Sequence, residues 1–170
     1  MTQPKMEKAT VAQSSVPRVE NGKSLLIAGL RSHYAPMEMG NIPAQWQRFV
    51  AHFGKIPGQV GRVAYGLSFN IDSPAGVDYL SGVEVSSTSG LPNDFSVVTV
   101  PVQKYAVFSH SGHVSTIFQT CDAIGREWLT ASGHEAARQT GDGPDFFERY
   151  GEEFNPQTGM GGMEVWVPIK

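Results

Sequence analysis

The sequence has a single cysteine, Cys121, so an intrachain disulfide is excluded and the core must hold without one. That usage fits a reducing, cytoplasmic setting. Its 13 Lys and Arg residues are scattered rather than clustered. A face that neutralises DNA phosphates needs a basic stripe, so direct DNA binding is not expected. No stretch approaches the roughly 18 apolar residues of a membrane-spanning helix, and the N-terminus lacks the apolar centre of a signal peptide. No membrane association is expected either. Neither a phosphate-cradling Gly loop nor a nucleophile elbow is present. The two histidines of Ser109-His-Ser-Gly-His113 have no Cys or carboxylate at ligand spacing beside them, so they read as a loop ahead of a helix. No metal or other cofactor is expected.

What is present suits one globular domain. Hydrophobic residues make up 40% of the 170 and charged residues 17%, with a net charge of −3. A chain of this length buries a core of its own. Residues 1–16 are polar and read as a disordered tail, leaving 17–170 as the domain.

Periodicity then sets the elements. Ser24–Leu30 is an apolar run of strand length. From Asn41 to Ile56, the residues Ile42, Trp46, Phe49, Val50 and Phe53 recur at helical spacing, with Pro43 in a first turn and Gly54 as a C-cap. Arg62–Asn70 and Val77–Ser86 alternate as strands around an Asp72–Gly76 turn. Phe95–Val100 and Lys104–Ser109 read as further strands. A second helix covers roughly His113–Leu129, with Val114, Ile117, Phe118, Cys121, Ile124 and Trp128 on one face. After a loop from Ser132 to Pro144, Asp145–Tyr150 and Met163–Ile169 are the last strands.

The order strand, helix, strand, strand thus occurs twice, and residues repeat with it. Pro17-Arg-Val and Leu25-Leu-Ile-Ala-Gly parallel Val98-Thr-Val-Pro and Tyr105-Ala-Val-Phe-Ser. Tyr65-Gly66 parallels Tyr150-Gly151, and Gly82-Val-Glu-Val85 parallels Gly162-Met-Glu-Val165. These matches predict a tandem repeat with halves near 17–90 and 91–170. The fold class is α+β: one antiparallel sheet, both helices on one face, and a central pocket where the halves meet.

Alternation assigns sheet faces. Met163, Val165, Val167 and Ile169 are expected under the helices, with Glu164 and Trp166 opposite. Phe146, Glu148 and Tyr150 share a face, as do Tyr65, Leu67 and Phe69, while Glu84 opposes Val83 and Val85. The side away from the helices is therefore expected to carry carboxylates among aromatic rings. A carboxylate in such surroundings is costly unless neutralised, and a lipophilic cation does so by ion pairing and by resting on ring faces. A strand Glu beside aromatics is more ordinarily just solvent-exposed. Cys121, on the apolar helix face, reads as a packed thiol rather than a nucleophile.

The ordered set Ile42-Pro-Ala-Gln-Trp46, Tyr65-Gly66, Tyr79-Leu-Ser-Gly-Val-Glu-Val85, Pro101-Val-Gln-Lys-Tyr-Ala-Val-Phe-Ser-His110, Trp128-Leu, Phe147-Glu-Arg-Tyr150 and Glu164-Val-Trp-Val-Pro-Ile169 resembles the GyrI-like effector-binding domain. That domain also occurs in bacterial multidrug-sensing regulators of the AraC and MerR classes. The resemblance implies a pocket with an acidic residue at its floor, which carries onto Glu148, with Tyr150 as a neighbouring wall. Tyr65, Glu164 and Trp166 join the candidate ligand-binding set from the face assignment. Regulators of the family carry a helix-turn-helix ahead of the sensor, whereas a short polar tail precedes Pro17 here. The expectation is a standalone binder of amphiphilic, cationic small molecules, acting alone, as a homodimer or through a protein partner. The alternative is a hydrolase of electrophilic small molecules with Glu148 as general base. A protein-binding inhibitor of a topoisomerase ranks last, because −3 is too mild for a DNA-mimicking surface.

Overall fold

A computed structural model of the chain describes residues 17–137 and 143–170; the tail at 1–16 lies outside them, as does part of the loop expected at 132–144. Eight strands form one curled antiparallel sheet: β1 (Arg18–Gly22), β2 (Leu25–Tyr34), β3 (Gln59–Phe69), β4 (Val77–Val85), β5 (Ser96–Val100), β6 (Gln103–His110), β7 (Phe146–Tyr150) and β8 (Met163–Pro168). Their order across the sheet is β1-β6-β8-β7-β3-β4-β2-β5. The halves meet at the β3–β7 pair, where Gly66 faces Glu148.

The two halves exchange their first strands. β1 pairs with β6 of the second half, and β5 pairs with β2 of the first. Arg18 lies opposite Val107 and Val98 lies opposite Ile27, so a shift of 80 positions converts one pair into the other. The same shift carries Gly82-Val-Glu-Val85 onto Gly162-Met-Glu-Val165 in β4 and β8. The third sequence match does not survive in space. Tyr65 and Tyr150 sit on opposite faces of the sheet, so Tyr65-Gly66 and Tyr150-Gly151 are not equivalent positions.

Both helices cover one face, as alternation predicts. The first helix, α1 (Ile42–Val50), follows a short 3-10 segment (Pro36–Asn41) and is shorter than its apolar spacing suggests. Ile42 and Phe49 are buried, but Val50 is 55% exposed and Gln45 takes the inward position instead. The second helical stretch changes hydrogen-bonding pattern along its length. A 3-10 turn (Val114–Thr116) leads into α2 (Ile117–Ala123), then a π segment (Ile124–Trp128), then α3 (Leu129–Ser132). Beneath these helices lie Ala28, Leu30, Val83 and Val85 of one half and Ala106, Phe108, Val165 and Val167 of the other. Trp46 touches both groups and closes the seam. The opposite face carries its own cluster, including Ile27, Leu67, Leu80, Val107 and Phe147, each buried to within 2%. Burying one such side chain contributes about 1.5–3 kcal/mol.

A carboxylate enclosed by aromatic rings

Gln45 fixes the roof of the seam. Its amide nitrogen donates to the Leu30 and Tyr79 carbonyls and to Ser81 Oγ, and its oxygen accepts from the Tyr34 hydroxyl at 2.6 Å. A buried amide satisfied on both ends pins α1 to β2 and β4 at one register. That places Trp46, the next residue, so that its indole nitrogen donates to Tyr79 Oη at 3.0 Å.

Tyr79 in turn donates to Glu148 Oε1 at 2.8 Å, and Tyr150 donates to the same oxygen at 2.8 Å. Trp46 packs at a steep, T-shaped angle against both tyrosine rings, and Phe118 of α2 meets Tyr79. Glu148 is completely buried, and its second oxygen, Oε2, has no hydrogen-bond partner among the described residues. Burial raises its pKa to about 7, against the pull of the two tyrosine hydroxyls, which favour the anion. Those hydroxyls are themselves held well above their ordinary value by desolvation and by the Glu148 charge, so both stay protonated donors.

The deeply buried carboxylate therefore lies beneath the helices, not on the side away from them. Phe147 explains the parity. It stacks on Trp166 at 5.5 Å in the opposite cluster, which turns Phe146, Glu148 and Tyr150 toward the helices. Adjacent phenylalanines at 146 and 147 make either choice look the same in the sequence.

Tyr65, Glu164 and Trp166 share the opposite face and are not brought to Glu148. Glu164 is already engaged there. Arg18 approaches it at 3.0 Å, Arg149 at 3.8 Å, and the Trp166 indole donates to it at 2.9 Å. A cleft of about 480 Å³ borders Arg149, Glu153 and Glu164, a set whose charges partly cancel within the protein. Nor is His110 free, since one ring nitrogen contacts Thr120 Oγ1 and the other the His113 carbonyl. The Cys121 thiol is pushed up by burial and by Glu148, as suits a packed side chain.

Residues 16–170 match the family described as the GyrI-like small molecule binding domain. The chain belongs to that family. The transcriptional regulator BrlR of Pseudomonas aeruginosa is 32% identical to this chain over 127 residues, covering 73% of this chain and 44% of BrlR. The chain thus spans less than half the length of that regulator. Among solved structures, SAV2435 bound to tetraphenylphosphonium superposes with a TM-score of 0.70 at 20% identity, covering 91% of this chain and 93% of the other. The EcmrR C-terminal domain gives 0.64 at 10% identity, covering 92% and 98%. At such identities the likeness is one of fold. Within this GyrI-like domain, Gln45, Trp46 and Tyr79 were not foreseen as site residues. Their one signal was a polar residue, Gln45, sitting in phase with Ile42 and Phe49.

Proposed function

We infer that the domain binds lipophilic cations beneath its helices, with Glu148 as counter-charge and Tyr79, Tyr150 and Trp46 as aromatic walls. The observation that carries this reading is the unpartnered Oε2 of a wholly buried carboxylate. An anion so placed is unfavourable alone and gains most from a cation that brings little hydration of its own. Surrounding ring faces add attraction to such a cation. The phosphonium bound by SAV2435 is a compound of that class. The test is a thermal-shift comparison of wild type and Glu148→Gln with tetraphenylphosphonium, a neutral analogue and tetraphenylborate. A cation at 100 times its dissociation constant adds about 2.7 kcal/mol, or about 5–10 °C for a domain of this size. A shift for the cation alone, reduced in the variant, supports the reading; equal shifts for all three compounds overturn it.

A second reading draws on the Glu148 pKa of about 7. A carboxylate poised there can take a proton from water at neutral pH, as a general base for hydrolysis of an electrophile requires. Turnover of a strained-ring electrophile by the wild type, lost in Glu148→Gln, would favour this reading over binding alone.

A further inference from the structure

The π segment interrupts a helix that is otherwise α-helical on both sides, and such interruptions are often found at functional sites. Against it lies an apolar pocket of about 60 Å³ whose walls include Ile71, Cys121, Ile124, Gly125, Phe146 and Val165. Three of these border the surroundings of Glu148. Val165 is its ladder partner across β7–β8, Phe146 precedes it by two on the same face, and Cys121 packs against the cluster that holds Val165 and Tyr150.

Gly125 forms the exposed rim of this pocket. A Cβ there would meet no heavy atom within 4 Å beyond its own helix backbone and chain neighbours, and its backbone is not in the left-handed region, so neither crowding at Cβ nor conformation calls for glycine. Glycine inside a helix costs about 1 kcal/mol relative to alanine. What its presence does achieve is an uncovered mouth.

We propose that this pocket is a subsite of the Glu148 site, receiving a short apolar branch of the ligand whose cation meets the carboxylate. The proposal rests on the cation-binding reading for the ligand's charged end. A cavity of this size falls below the about 150 Å³ that admits a benzene ring, so it takes a short alkyl branch or the edge of a ring. The ligand class is thus an onium ion bearing one slender alkyl arm beside its bulkier groups.

Affinities of methyltriphenylphosphonium and n-butyltriphenylphosphonium test this by calorimetry. Each methylene seated in the pocket is expected to strengthen binding about fourfold. Wild type should therefore prefer the butyl compound by about tenfold or more. Cys121→Leu, which fills the pocket, and Gly125→Leu, which covers its mouth, should abolish that preference by lowering butyl affinity more than methyl affinity. Glu148→Gln should weaken both compounds alike and keep the preference. A preference that persists in both leucine variants overturns the subsite. Should neither phosphonium bind wild type, the cation reading falls, and xenon, small enough for the pocket, judges it separately. Xenon-induced NMR shifts at Ile124 and Val165 that vanish in Cys121→Leu then support an open pocket, and no such shifts in wild type overturn it.

Discussion

Gly66 stands opposite Glu148 in the β3–β7 ladder, and a side-chain carbon there would overlap the Tyr79 hydroxyl and lie 2.8 Å from Glu148 Oε1. The absent methyl is therefore the space through which Tyr79 reaches the carboxylate. Gly66→Ala is expected to cost about 1–3 kcal/mol, the usual range for overpacking. It should also raise the Glu148 pKa further, since the Tyr79 hydrogen bond favours the anion. Urea denaturation of the variant and a carboxyl titration by NMR check both effects.

Stability should depend on Glu148 ionisation. Its pKa rises from 4.5 to about 7 on folding, so between those values the native state holds the extra proton. Stability then falls as pH climbs through that window and levels off above about 7, with a total near 3 kcal/mol. His33 acts in the same direction. Its bonds to Asp78 and the Ala75 carbonyl raise its pKa, and the stability they give is lost as pH rises through the folded value. Subtracting the Glu148→Gln profile from that of wild type isolates the carboxyl share. A difference profile flat from pH 4.5 to 8 would refute it.

Cation binding should follow the opposite trend. The ionised carboxylate is the binding form, so tetraphenylphosphonium affinity rises with pH up to about 7 and is constant beyond. Proton release measured by calorimetry in two buffers of different ionisation enthalpy reports this linkage.

The two faces should separate in mutant binding. Glu148→Gln is expected to weaken tetraphenylphosphonium about tenfold or more. Glu164→Gln should leave the affinity unchanged, because Arg18, Arg149 and Trp166 already occupy that carboxylate. Equal losses in both variants would move the site to the face away from the helices.

Gln45→Met keeps the volume but leaves the Leu30 and Tyr79 carbonyls, Ser81 and Tyr34 short of a partner. The expected loss is about 2–4 kcal/mol. Trp46 fluorescence should shift as α1 loosens over Tyr79, and thermal denaturation gives the stability.

Much of this architecture was legible from the chain. Alternation in β8 and the recurrence of Gly-x-Glu-Val gave the duplicated sheet and its helix-covered face. The acidic residue followed from the resemblance in Phe147-Glu-Arg-Tyr150. What escaped was set by long-range partners. β1 has no apolar alternation of its own, and only its pairing with β6 makes it a strand. Val50 fits the helical stripe yet points outward, while Gln45 breaks the stripe and is buried, because hydrogen bonds to two strands satisfy it. A hydropathy pattern registers neither kind of satisfaction. Nor does it reveal a π segment, whose local sequence is ordinary for a helix.

The exchanged first strands bear on how the chain is made. Among the described strands β1 leaves the ribosome first, yet Gly22 must find Gln103. At about 5–20 residues per second it waits several seconds for β6 to be synthesised. Meanwhile the first half can be completed only by β5, which belongs to the second. Such distant pairing is slow to form and leaves strand edges open while it does. The earliest of these eight strands is thus among the last to be docked, and the nascent first half is where a chaperone would be needed most.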